Sequence, residues 1–134
     1  MIVSEIDELS VITILKNGIP NEECIAINVN QDINLGQYGI MLGSFNANNT
    51  ATPFRDNMFW FGDGIVNKGD WLFIYTGYGE PTQTKGIDGI HESYSLFWGK
   101  ANTIFANTNV VPILFRVDAV DILNPPANVP QISD

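Results

Sequence analysis

The residues of this sequence best equipped for chemistry gather between positions 77 and 98. Gly77-Tyr78-Gly79 has the outline of a phosphate-cradling loop, and His91-Glu92-Ser93 sets the only histidine beside an acid and a hydroxyl. A P-loop needs Gly-x4-Gly-Lys-Ser/Thr opening a helix, so that backbone N–H groups and the helix dipole face the phosphates. Here Glu80 and Pro81 follow the glycines, and Thr82 stands where a dinucleotide fingerprint needs its third glycine. Glu80 would also repel a phosphate. His91-Glu92 is half of the zinc-protease motif H-E-x-x-H, but the fifth position is Ser95, and a lone histidine cannot supply a multi-histidine zinc set. No G-x-S-x-G elbow supports a Ser93–His91 nucleophile, and two residues apart on one strand face they stand too far apart to bond. The glycines are better read as the end of a strand and a relaxed turn.

Carboxylates remain. Glu80, Asp88 and Glu92 surround one predicted loop, and a glycosidase needs only two at a suitable separation. An acidic domain with fifteen Asp and Glu offers such triplets by chance. Asp63, Asn67 and Asp70 could ligate calcium through oxygen, yet they match no EF-hand spacing and also suit a solvated turn. Asn48-Asn49-Thr50 is a glycosylation sequon, with meaning only in a secreted protein. Cys24 is the only cysteine, which excludes an internal disulfide and a cysteine-rich metal site. It lies in an apolar run as a buried thiol would. Trp60, Trp71 and Trp98 fall in three predicted strands. Exposed on one sheet they would suit a glycan, but large aromatics more often fill interiors.

The totals narrow the partners. The chain has 134 residues and a formal charge of −9, with only six basic side chains scattered along it. Nucleic-acid binding relies on Lys and Arg to neutralise phosphates, and no basic stripe is present. Anionic membranes would repel the chain for the same reason. Apolar residues make up 45% of the sequence, enough for one domain with its own core. No apolar run is long enough to span a bilayer. The N-terminus lacks a basic n-region, so no signal peptide is expected; the default compartment is cytoplasmic, or surface or secreted if a leader was removed.

Short apolar or alternating runs separated by Asn, Gly, Asp and Pro must position these residues. Strands are expected over Ser10–Lys16, Cys24–Asn30, Gln37–Phe45, Met58–Phe61, Trp71–Thr76, His91–Gly99 and Val111–Val117. Ile25, Ile27 and Val29 share one face, as do Tyr94, Leu96 and Trp98. Residues 46–57 and 77–89 read as long polar loops. A phase slip at Asp118-Ala119 predicts a bulge or a tight hairpin there. Ser4–Leu9 could make a single helical turn. Seven or eight short strands with little helix read as an all-β sandwich or barrel, the sandwich being expected over residues 1–123 and followed by a Pro-rich extended tail over 124–134.

Three segments in this order carry a resemblance. "ECIAINVNQDINLGQYGIML", "FWFGDGIVNKGDWLFIYTGYG" and "SLFWGKANTIFANTNVVPILFRVDAVDI" resemble the strands, turns and closing hairpin of the lamin-tail domain. The likeness covers about residues 22–122 and is one of pattern. Tyr38 stands where that family has Trp, and the closing hairpin lacks its Gly. The resemblance implies an immunoglobulin-like sandwich acting as an interaction module, with no catalytic residues and no cofactor. The expected partner is another protein, met through a sheet edge or the end loops. Tyr78, Glu80, His91 and Trp98 are the candidate contacts. The rival readings are a carbohydrate-binding module and a small acid–base hydrolase using Glu80, Asp88 or Glu92.

Overall fold

The computed structural model describes residues 5–127. Ten strands, in chain order, make three sheets: β1 (Leu9–Leu15), β2 (Cys24–Val29), β3 (Ile33–Asn34), β4 (Tyr38–Asn46), β5 (Thr50–Trp60), β6 (Ile65–Val66), β7 (Trp71–Tyr75), β8 (Thr82–Lys85), β9 (Glu92–Phe97) and β10 (Val110–Arg116). A five-stranded sheet in the order β1-β2-β7-β9-β8 and a three-stranded sheet in the order β10-β4-β5 share one core. β3 and β6 form a small ladder of their own. All pairings are antiparallel except β7 with β9, which run parallel. The architecture is an all-β sandwich, as expected.

Alternation explains which face each strand buries. Ile25 and Ile27 of β2 and Leu72 and Ile74 of β7 are completely buried. They meet Ile40 and Leu42 of β4, with Phe61, Val66 and Phe105 completing the cluster. Burying each such aliphatic side chain is worth about 1.5–3 kcal/mol. Tyr94, Leu96 and Trp98 pack onto the same core from the β9 side, in the predicted phase.

Two polar clusters tie the layers. Glu23 is fully buried, and its carboxylate accepts hydrogen bonds from the N–H groups of Gly18, Ile104 and Phe105 and from the Thr76 hydroxyl, at 2.7–2.9 Å. Burial alone would raise its pKa, but these donors outweigh that and the net shift is downward. Glu8 accepts from the Tyr38 hydroxyl at 2.6 Å and from Arg116 at 2.9 Å, linking the start of β1 to β4 and β10. Burial, and then Glu8, push the Tyr38 hydroxyl up to about 12, so it stays a donor.

Four expectations are corrected. Residues 50–57 belong to β5, an eleven-residue strand, because Asn48 and Asn49 both take positive φ and close a tight hairpin with β4. Residues 82–85, expected in a loop, form β8 against β9. Asp118-Ala119 is neither bulge nor hairpin: β10 ends at Arg116, and no strand or helix follows over residues 117–127. Residues 5–7 form no helical turn, and Ser4 lies outside the described residues, as does the tail beyond 127.

Candidate functional site

The alternation that buries Leu72 and Ile74 turns Trp71, Phe73 and Tyr75 to the other face of the five-stranded sheet. Among the described residues, no strand or helix packs over that face. Trp71 and Phe73 stand nearly parallel with ring centroids 6.0 Å apart, and Tyr75 and Phe97 stack at 5.0 Å. Across the sheet, Thr13, Ala26, Phe73 and Ser95 lie in register. Ala26 is the small member of that row, and it leaves a trough between the β1 side chains and the β7 aromatics.

This trough is a groove of about 610 Å³ with mostly apolar walls. Ile12 and Leu15 form one side, Trp71 and Phe73 the floor, and Ser93 with the loop before β9 the other side. That loop carries Ile87, whose side chain is entirely exposed. The Asp88 carboxylate shapes the loop by accepting the N–H groups of Ile90 and His91 and by contacting the His91 ring at Nδ1. These contacts, the His91 backbone first, hold the Asp88 carboxyl well below the usual carboxylate range. The His91 ring lies over Gly69, whose φ of +94° is what favours glycine there. Asp70 is buried next to it and accepts from the Asn67 and Glu92 N–H groups, at 2.8 and 3.0 Å. Its role is to fix the turn entering β7, in place of the solvated turn expected for Asp63, Asn67 and Asp70.

The predicted contacts therefore separate. His91 lies in the groove, as do Asp88 and Glu92. Tyr78 is exposed, its ring beside Gly99, and Glu80 is exposed; neither lines the groove. Trp98 is half-buried against Phe59, with the Lys100 ammonium 5.2 Å from its ring centroid. Trp60 is half-exposed on the three-stranded sheet, so it does not share a face with Trp71. Cys24 is buried, and burial pushes its thiol pKa up. Sequence reasoning missed Ile12, Phe73 and Ile87 as a set. The lone small residue in "CIAINV" was the one signal available for a second, uncovered face, because "WLFIY" is apolar throughout.

The chemistry open to this site is limited. Asp88 and Glu92 share the groove, but Asp88 is held ionised by its loop and Glu92 is ion-paired with Lys85 at 2.7 Å. A glycosidase pair needs one carboxyl kept protonated. His91 and Ser93 both line the groove without a hydrogen bond between them among the described residues. Among those residues no group of His, Cys, Asp and Glu is placed to hold a metal ion, and no helix is long and apolar enough to cross a membrane. No protein-family model matches the chain, and no curated protein sequence or solved structure matches it either.

Proposed function

We propose that this chain is a non-catalytic binding module, of immunoglobulin-like, lamin-tail type, that recognises another protein through the groove on its five-stranded sheet. The observation that carries the reading is the uncovered aromatic and aliphatic trough around Trp71, Phe73 and Ile12. Concave, mostly apolar sites with a few polar groups at the rim are where ligands bind. The state of Asp88 and the pairing of Glu92 speak against acid–base chemistry in the same place. Three of the six basic side chains, Lys16, Lys85 and Arg116, are already paired with carboxylates, which leaves little charge for a nucleic acid.

A sheet edge is a poorer recognition surface here than a face. β1 carries an irregularity between Val11 and Thr13, β8 is four exposed polar residues, and β5 and β10 contain Pro53 and Pro112. Each feature discourages an added strand. Insertion of partner side chains into the groove fits better. A second reading, glycan binding, is favoured by the parallel Trp71 and Phe73 rings beside the Ser93 and Thr13 hydroxyls.

Peptide-display selection and a glycan array, each run on the wild type and on Ile12→Lys and Phe73→Ala, test the proposal. The expected result is a peptide consensus with spaced large apolar residues that is lost in both variants. Glycans retained by the wild type and lost in Phe73→Ala would favour the second reading. Selection unaffected by either variant would remove the groove as the site.

A further inference from the structure

We propose that the occupant of this groove is the segment 117–123 of a second copy of the chain, with Ile122 and Leu123 as the inserted side chains. The inference rests on the groove being the binding surface.

The most exposed large apolar side chains of the described residues fall in two places. Ile87 and Ile90 belong to the loop that walls the groove; Val120, Ile122 and Leu123, at 73%, 80% and 88% exposure, belong to the segment after β10. Ordinary monomer surfaces scatter such side chains singly. One contact between groove and segment would remove both sets from water together.

The segment has the form such a ligand needs. It contains no strand or helix, and Pro125-Pro126 keeps the chain beyond Leu123 from continuing as either. Its base is fixed: the Val117 N–H donates to the Gln37 carbonyl at 2.7 Å, and Arg116 bridges Glu8 and Asp118. These anchors belong to the three-stranded sheet and to the start of β1. The segment leaves from the three-stranded sheet, whereas the groove lies on the five-stranded sheet, so the groove assigned to it is that of a neighbouring copy. The blunted edges direct the segment to the face and away from strand addition.

Each copy then carries one donor and one acceptor. Reciprocal exchange closes a dimer, and one-way exchange extends a chain of copies. Two bodies of charge −9 repel each other, so an association driven by apolar contact should strengthen as salt screens that repulsion.

Sedimentation velocity on the full chain over a concentration series tests the proposal, using Ile122→Asp/Leu123→Asp in the segment and Ile12→Lys in the groove. All three positions are exposed, so the sandwich is not put at risk. The expected result is concentration-dependent association that tightens with salt and weakens at least tenfold in each variant. Mixing the two variants should restore a contact, because one keeps its groove and the other its segment. A wild type that stays monomeric throughout, including one with the segment on its own groove, overturns the inference; so does association indifferent to the segment variant. If Ile12→Lys still abolishes peptide selection in those cases, the groove stands and only its occupant is wrong. If it does not, the binding surface falls too.

Discussion

Glu23 sits fully buried beside Cys24, and no described ion pair includes it. Four donors from three separate segments converge on its carboxylate, so the side chain fastens the turn after β1, the end of β7 and the loop before β10 to one point. Glu23→Gln keeps the shape but turns an NH2 group toward N–H donors. Hydrogen bonds to charged groups contribute about 1.5–3 kcal/mol, so a loss of about 2 kcal/mol or more is expected in urea denaturation. The pH dependence has a definite sign. The Glu23 and Glu8 carboxyls are both lowered by folding, so the unfolded chain binds more protons in the acid range. Their stabilisation is complete above about pH 5, beyond the ordinary glutamate pKa, and is lost as the pH falls through their folded values. The thermal midpoint should be level from neutrality to about pH 5 and fall below it. In Glu23→Gln that fall should be shallower; an unchanged slope would mean the carboxylate carries no such linkage.

The hairpin of β4 and β5 shows how a strand can depend on its turn. Asn48 and Asn49, at φ +66° and +57°, are the two left-handed residues of a tight hairpin turn. Asn49→Gly should leave stability equal or slightly higher, while Asn48→Val should cost about 1 kcal/mol or more, because a β-branched residue resists positive φ. Gly39 of β4 is constrained from the opposite direction: a Cβ there would meet the Phe115 ring and come 2.6 Å from the Phe59 carbonyl oxygen. Gly39→Ala should therefore destabilise the sheet by about 1–3 kcal/mol in the same urea assay. Short β-branched, apolar or alternating runs made β1, β2, β4, β7, β9 and β10 legible in the sequence. That signal failed for the first half of β5 and for β8, whose side chains are mostly exposed and polar, so their pairing depends on neighbours far away in the chain. The groove was legible only in part, through Trp71, Asp88, His91, Glu92 and Ser93. Its floor comes from the uncovered face of a strand that, from "WLFIYT" alone, looks buried on both sides. Glu23 was indistinguishable from Glu22 before three remote segments came together around it.

At the scale of the molecule, the outer face of the five-stranded sheet is left open among the described residues, and the carboxylates beside it are already engaged. Asp88 spends its charge on its own loop, Glu92 on Lys85, and the apolar trough between them remains available. The central claim is that this trough is where a protein partner is recognised. Amide NMR of the isotope-labelled chain, titrated with the display-selected peptide, tests it most directly. Shift changes should centre on Thr13, Ala26, Trp71, Phe73, Ser93 and the 86–91 loop, and Phe73→Ala should abolish them. Changes centred instead on the Tyr78 loop or around Trp60 on the other sheet would contradict the account.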